Sequence, residues 1–126
     1  MKINDLVKEV HETAKEKGWW EGGDRNPLEI HCLIHSEISE ATEEVRNGKP
    51  ALYQPINDYY GLYSLSPNGN SWDKTKKPEG EAVELADAVI RIMDYFGHKG
   101  WDLEEVLRAK IDYNKTRGYR HGGKKA

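Results

Sequence analysis

Two stretches of the chain combine the apolar spacing of an amphipathic helix with carboxylates beside the apolar positions. The first, LIHSEISEATEEVRNG (33–48), places four glutamates within eight positions. The second, EGEAVELADAVIRIMDYFG (79–97), sets Glu84 and Asp87 three residues apart in a more apolar run. Apolar residues that recur every three or four positions predict helices. The chain is therefore expected to fold around two helices whose buried faces border negative charge.

The remaining periodicity predicts an all-α protein. Asn4 or Asp5 is available to cap a first helix, Gly97 should follow the third, and Asp102 begins a capping-box pattern for the fourth. A chain of 126 residues is expected to form a single domain, most simply a bundle of four to five helices. The expected helices span residues 4–17, 28–46, 78–96 and 102–117.

A long Tyr- and Pro-rich insertion, about residues 49–78, separates the two acidic helices. It holds four of the five prolines and four of the seven tyrosines. Loops of that length tend to be functional or disordered, and its aromatic content argues against plain disorder. SPNGNS (66–71) is expected to turn a short hairpin, and residues 118–126 form a glycine-rich, basic tail.

Composition narrows the class of partner and the compartment. A net charge of −3 gives no general attraction to nucleic acid or membranes. No apolar run approaches the roughly 18 residues of a membrane span, and MKINDLVKEV is too charged for a signal peptide. Cys32 is the single cysteine, which suits a reducing compartment. We therefore expect a cytoplasmic protein.

The glutamates of the second predicted helix are not scattered around its circumference. On a helical wheel, Glu37, Glu40 and Glu44 fall directly beside the apolar stripe. Glu43 falls on the far side. The stripe itself consists of Ile30, Ile34, Ile38, Ala41 and Val45.

The third predicted helix is apolar on most sides, so its narrow polar strip faces either solvent or a polar cavity. The strip consists of Glu84, Asp87, Arg91 and Asp94. If it faces the second helix, four carboxylates converge, and such a cluster is stable only with cations, of which Mg²⁺ or Mn²⁺ suits hard oxygen ligands. Pairs such as Asp87 and Arg91 are equally expected as ordinary surface decoration.

The fourth predicted helix turns basic where its inward stripe should stay apolar. Lys110, Asn114 and Arg117 continue the arc that Leu103 begins. A lysine, an amide and an arginine on one face are suited to an anionic ligand such as a polyphosphate. Solvation of the helix end is the alternative explanation.

Four segments together carry a family pattern: KGWWE (17–21), HSEISEATEEVRNGK (35–49), KPEGEAVELADAVIRIMDY (77–95) and KIDYNKTRGYRHGGKK (110–125). They resemble the MazG-like all-α nucleoside triphosphate pyrophosphohydrolases, particularly small bacterial or phage members. The resemblance covers nearly the whole chain except the insertion. It implies an all-α fold, a homodimer or homotetramer, and Mg²⁺-dependent hydrolysis of a (d)NTP to the (d)NMP and pyrophosphate, in nucleotide-pool control or house-cleaning.

The same resemblance implies roles for individual residues. An ExxE and an ExxD supply the metal ligands, and a KxxxN contacts the phosphates. Glu40, or else Glu37, would orient the attacking water as general base. The implied metal ligands are Glu37, Glu40, Glu84 and Asp87, and the implied phosphate or nucleotide ligands are Lys110 and Asn114, with Arg117 and Arg120 as helpers.

Other residues of the sequence allow more than one interpretation. Trp19 and Trp20 can stack on a base or anchor the core. A zinc site at His31, Cys32 and His35 is a weaker hypothesis, because no second ligand cluster has suitable spacing. At the level of function, the alternatives are a non-catalytic helical module that binds a nucleotide or protein, and a phosphoribosyl-ATP pyrophosphohydrolase.

Overall fold

The computed structural model of the chain describes residues 2–55, 62–64 and 75–120. This part of the chain is mainly helical, which confirms the all-α class. The two strands are antiparallel and pair Tyr53 with Ser64 and Pro55 with Leu62. The elements are α1 (Ile3–Glu16), α2 (Pro27–Arg46), β1 (Tyr53–Pro55), β2 (Leu62–Ser64), α3 (Glu81–Lys99) and α4 (Leu103–Lys115).

The chain divides into two compact units, one of residues 1–21 with 93–126 and one of residues 22–92. The boundary falls inside α3, after Ile92. Among the described residues, no helix combines the length and the apolar character that crossing a membrane requires. The predicted SPNGNS turn and residues 121–126 of the basic tail lie outside the described residues.

In unit 22–92, the local sequence explains where α2 starts and stops. Pro27 occupies the first turn, where its missing N–H costs nothing, and the Asn26 side chain accepts a hydrogen bond from the Leu28 N–H at 3.0 Å. Asn47 is the C-cap, and Gly48 follows it with φ 67°. The predicted end of the second helix at residue 46 is confirmed.

The buried faces of the two acidic helices differ from the predicted ones. On α2 the buried residues are Ile30, Glu37 and Ala41, whereas Ile38 and Val45 are 45% and 54% exposed. The expectation that the whole apolar stripe is buried was therefore wrong. Burial is centred on the glutamate side because Glu37, on this side of α2, contacts Arg91 on α3.

The part of α3 that lies in this unit also exposes apolar side chains that were expected to be buried. Glu84 and Ala88 are buried, whereas Leu85, Val89 and Ile90 are 43%, 48% and 46% exposed. A helix that is apolar on most sides was expected to be mostly buried, and in the single chain it is not. Its polar strip is turned inward and its most apolar side is left uncovered.

Backbone hydrogen bonds tie the start of α3 to the chain that follows α2. Tyr53 and Glu79 exchange N–H to O bonds of 2.9 and 2.8 Å, and the Ala82 N–H donates to Ala51 O at 2.9 Å. Gly80 has φ 115°, and a Cβ there would overlap the Ala51 carbonyl. These bonds hold residue 79 in a β-bridge, so α3 begins three residues later than its predicted start at 78.

In unit 1–21 with 93–126, Asp94 links α1 to the end of α3. Its Oδ1 lies 2.8 Å from His11 Nδ1 and accepts a hydrogen bond from Trp20 Nε1 at 2.9 Å. The Trp20 ring also stacks on His98 at 3.8 Å. Gly97 allows this close packing, since a Cβ at that position would lie 2.6 Å from the His11 Cβ. Gly97 is thus a packing residue inside α3 and not the residue that follows the helix.

Asn4, in the first turn of α1, is hydrogen bonded to the N-cap of α4, and the N-termini of these two helices are capped differently. The N-cap of α1 is Lys2, with no side-chain hydrogen bond, so the predicted cap at Asn4 or Asp5 was wrong. Asn4 instead donates from Nδ2 to Asp102 Oδ1 at 2.9 Å. Asp102 caps α4 as predicted, accepting from the Glu105 N–H at 2.9 Å. These hydrogen bonds hold the pKa of Asp102 below its usual range, the bond from Asn4 contributing most.

Helix α4 is exposed along most of its length. Leu103 is buried, but Val106 and Leu107, which follow it at helical spacing, are 49% and 38% exposed. Every described residue from Glu105 to the end of α4 is exposed. The expectation of an inward-facing stripe beyond the first turn of α4 was therefore wrong for the single chain.

Candidate metal centre

Helices α2 and α3 bring three carboxylates from two sequence motifs to one place. One oxygen from each of Glu37, Glu84 and Asp87 lies within 4.8 Å of the others. Glu37 and Glu84 are only 8% and 7% exposed, and Asp87 is half-buried. The i, i+3 spacing puts Glu84 and Asp87 on neighbouring turns of the same face of α3, which α2 meets with Glu37. Of the two alternatives that the sequence left open, convergence of the acidic motifs is the one found for these three residues.

Glu40 joins the group at its exposed edge. Its side chain is hydrogen bonded to Glu84, and it is exposed. Burial, the bond to Glu40 and the charges of Glu40, Asp87 and Glu37 together raise the pKa of Glu84 to about 7, burial contributing most. In the absence of another cation, a proton shared between Glu84 and Glu40 therefore relieves part of the repulsion near neutral pH.

Opposing effects act on the pKa of Asp87. Burial, followed by the charge of Glu37, raises its pKa, whereas its hydrogen bond with Glu84 and the positive charges of Lys77 and Arg91 act in the other direction. The net direction is upward. The cluster therefore favours a bound positive charge, since each acid makes ionisation of its neighbours more costly.

Arg91 supplies one such charge to the cluster. Its Nε donates to Glu37 Oε1 at 2.8 Å, with the Arg91 and Glu37 side chains 36% and 11% exposed. Sequence spacing suggested Asp87 as the partner of Arg91 on the same helix, but the direct ion pair reaches across to α2. A helical wheel of α3 alone holds no signal for a partner on another helix.

Tyr53 borders the glutamate face of α2 and was not identified from the sequence. Its hydroxyl donates to Glu44 Oε2 at 2.9 Å, and the side chain is 3% exposed. Burial, then the bond to Glu44, raises the pKa of Tyr53 well above its usual range. Next to it, Gln54 is completely buried and donates from Nε2 to Lys76 O at 3.0 Å. The residues around β1 therefore pack against the acidic helices as part of the same unit.

The donor set fits a hard divalent cation. Carboxylate oxygens are preferred by Mg²⁺ and Mn²⁺, and a group drawn together to within 4.8 Å can share one ion. The group of Glu37, Glu84 and Asp87, with Glu40 hydrogen bonded to it, can hold such a cation.

The four predicted phosphate ligands lie in the other unit and are all exposed. Lys110 and Asn114 are on α4, and Arg117 and Arg120 follow its end. Lys110 Nζ lies 5.2 Å from the centre of the Tyr113 ring and Arg117 Cζ lies 5.9 Å from it. The three cationic side chains among the four therefore remain on an accessible surface.

The adjacent tryptophans have different environments. Trp20 is 9% exposed, donates to Asp94 and stacks on His98, which favours the interpretation of a core anchor. Trp19 is 60% exposed. Of the two indoles, that of Trp19 is therefore the one accessible to a base.

The zinc hypothesis gains no geometric support. His31, Cys32 and His35 are all exposed on α2. Within the described ranges, they belong to no group of three metal-ligating side chains, in contrast to Glu37 and its neighbours.

The fold and the cluster define a mainly helical protein with a carboxylate site between two helices of one unit. No family model matches this chain, and no significant match was found among curated proteins or solved structures.

Proposed function

We propose that this protein is a Mg²⁺-dependent nucleoside triphosphate pyrophosphohydrolase of the MazG-like type, converting a (d)NTP and water to the (d)NMP and pyrophosphate. The observation that carries the proposal is the convergence of acids from the ExxE and ExxD motifs, with an oxygen of each of Glu37, Glu84 and Asp87 within 4.8 Å of the others and with Glu37 and Glu84 buried. Structural acids rarely accumulate at a buried helix contact without a cation.

The cluster would hold the metal through Glu37, Glu40, Glu84 and Asp87. Mg²⁺, or Mn²⁺ in its place, would neutralise charge on the phosphate oxygens and make a water more acidic. The raised pKa of Glu84, to about 7, is consistent with this assignment because the same surroundings that favour a proton on Glu84 would favour a bound cation.

Glu40 is the proposed general base. It lies at the exposed edge of the cluster, and its oxygen already accepts the proton shared with Glu84. In the reaction, a water oxygen would bond to the α-phosphorus while the bond to the bridging oxygen breaks. The water proton would pass to Glu40 and pyrophosphate would leave. Glu37 is the alternative base, although its ion pair with Arg91 commits one oxygen.

Lys110 and Asn114, assisted by Arg117 and Arg120, are the proposed phosphate ligands. Their exposure leaves the cationic groups available to a polyphosphate, which arginine and lysine bind well. Trp19, with its exposed indole, is proposed to stack on the base.

A homodimer or homotetramer is part of the proposal. Apolar side chains that a helix normally buries are exposed on the single chain, among them Leu85, Val89 and Ile90 on α3 and Leu107 and Ile111 on α4. Such apolar surface typically marks an interaction site. Association of identical chains would cover these residues.

The decisive experiment measures pyrophosphate release from a panel of standard and modified NTPs and dNTPs, with Mg²⁺ and with a chelator. We expect metal-dependent turnover that falls by at least about a hundredfold in Glu40→Gln, the typical scale for losing a general base. The matched control is Glu43→Gln, which removes an exposed glutamate from the same helix. Full activity in a variant lacking all four acids would disprove the metal assignment.

A non-catalytic module that binds a nucleotide or a protein is the second candidate. It is favoured by exposed aromatic side chains, including Trp101 at 49%, Tyr113 at 57% and Tyr119 at 86%. This candidate predicts saturable nucleotide binding without turnover. Pyrophosphate in excess over enzyme would exclude it, and phosphoribosyl-ATP in the same panel tests the third alternative.

A further inference from the structure

Arg91 is a basic residue that contacts the carboxylate cluster. It lies one helical turn after Asp87 on α3, yet its ion pair is with Glu37 on α2, at 2.8 Å. Glu37 is one of the three acids whose oxygens converge. A single carboxylate is therefore shared between a resident guanidinium and the place where a divalent cation would bind.

The charges explain why a guanidinium is retained there. Glu37 is a carboxylate with an 11% exposed side chain beside two other acids, and an ionised group in that setting is costly without a positive partner. Arg91 provides this positive partner while its own side chain stays partly hydrated, because 36% of that side chain is exposed. Its field also reaches Asp87. The metal-free cluster is thus held together by a cation that belongs to the chain.

We propose that Arg91 is the internal counter-cation of the carboxylate cluster and competes with the divalent cation for Glu37. The inference rests on the proposed metal site. When a divalent ion binds, Arg91 gives up its pair with Glu37 and its long, partly exposed side chain turns to solvent or to the anionic substrate. Arg91 therefore sets the affinity of the cluster for the metal ion before the substrate binds. When no metal ion is bound, Arg91 also offsets the repulsion among the acids.

Mn²⁺ binding to the metal-free protein tests this directly, measured from the electron paramagnetic resonance signal of free Mn²⁺ at low ionic strength. Removing one positive charge a few ångströms from a divalent ion is expected to tighten binding about three- to tenfold in Arg91→Gln. Arg91→Lys keeps the charge and should bind within about twofold of wild type. Arg108→Gln, which breaks the exposed pair with Asp112 on α4, is the control for overall charge and should leave Mn²⁺ affinity unchanged.

Thermal unfolding supplies a second readout that a merely structural arginine would not reproduce. With chelator, Arg91→Gln should unfold at a lower temperature than wild type, because Glu37 is left buried and unpaired. With saturating Mn²⁺ most of that difference should disappear, because the ion now provides the counter-charge.

Several outcomes would overturn the inference. Weaker or unchanged Mn²⁺ binding in Arg91→Gln, with wild type binding normally, would show that Arg91 does not compete, and would leave the proposed function standing. Equal tightening in Arg91→Lys would also exclude a role based on charge. Absence of Mn²⁺ binding in wild type and in Arg91→Gln alike would remove the metal site itself, and the proposed function with it.

Discussion

Glu84 is an ionisable residue at a position that is 7% exposed and surrounded by other acids. Its environment raises its pKa from 4.5 to about 7, chiefly through burial. The folded chain therefore holds the Glu84 proton more tightly than the unfolded chain does. The resulting stabilisation is complete below pH 4.5 and is lost as the pH rises through about 7.

The first prediction concerns the pH dependence of stability in a chelator. We expect the free energy of unfolding to fall by about 2–3 kcal/mol between pH 5 and 8 on account of Glu84, following the pKa difference between folded and unfolded states. Chemical denaturation at several pH values measures this change. Glu84→Gln should lose that part of the slope, whereas Glu43→Gln should keep it. Equal slopes in wild type and Glu84→Gln would show that the Glu84 carboxyl is not perturbed.

At this scale, the sequence indicated candidate acids but not their individual states. The repeated i, i+3 spacing placed Glu37, Glu84 and Asp87 among the candidates, and the family resemblance implied them, with Glu40, as metal ligands. Burial and the hydrogen bond with Glu40 determine the pKa of Glu84, and both depend on how two distant segments pack. The Tyr53 to Glu44 bond was not predicted for the same reason, because nothing in the local pattern around Tyr53 indicates its partner.

Among the secondary-structure elements, the start of α3 depends on a glycine. Gly80 combines a φ of 115° with contact to the Ala51 carbonyl, so any side chain meets both backbone strain and steric overlap. The bonds between Tyr53 and Glu79 and between Ala82 and Ala51 leave no freedom for residue 80 to move away.

The second prediction is that Gly80→Ala destabilises the protein by about 2–4 kcal/mol, as expected when a strained backbone site is also overpacked. Gly23→Ala is the matched control, because Gly23 has φ 88° with nothing within 4 Å of its added Cβ. It should cost about 1 kcal/mol for backbone strain alone. Thermal and denaturant unfolding compare the two, and equal losses would argue against the close approach at Ala51.

The third prediction concerns Gly97 inside α3. Helix propensity alone favours alanine over glycine by about 1 kcal/mol. A Cβ would nevertheless lie 2.6 Å from His11 Cβ, so we expect Gly97→Ala to destabilise by about 1–3 kcal/mol through overpacking. Gly118→Ala, where nothing lies within 4 Å, is the control and should be close to neutral. Stabilisation by Gly97→Ala, seen as a raised Tm, would contradict the packing of α1 on α3.

Helix existence and type were predictable from periodicity, and three of the four helix starts agree within a residue. The start of α3 differs because the Tyr53 to Glu79 bridge holds residue 79 outside the helix. The end of α3 differs because Gly97 lies inside the helix and packs against His11. A prediction from local sequence takes such a glycine as the residue that follows a helix. Both differences arise from long-range contacts that a local pattern does not contain.

For the whole molecule, the question is what covers the apolar side chains of the single chain. Leu85, Val89 and Ile90 share one side of α3, and each is at least 43% exposed. The hydrophobic pattern predicted burial of this side, and the single chain does not provide it. The difference is expected if part of the buried surface belongs to contacts between copies.

The fourth prediction is that the protein is a dimer or tetramer at micromolar concentration, measured by size-exclusion chromatography with light scattering. Val89→Glu should shift the population towards monomer, because a buried charge at an interface is costly. Thr13→Glu adds the same charge at an exposed position of α1 and should leave the mass unchanged. A monomeric wild type would remove the proposed association.

The backbone hydrogen bonds that join Tyr53 to Glu79 and Ala51 to Ala82 also bear on how the length of such a chain can change. Because these bonds hold residues 51–53 next to residues 79–82, the number of residues between the two segments can vary while the start of α3 stays fixed. Each doubling of a flexible loop costs only about 0.6 kcal/mol in closure entropy. A change in the number of residues between positions 55 and 75 is therefore compatible with the same start of α3 and with the same convergence of Glu37, Glu84 and Asp87.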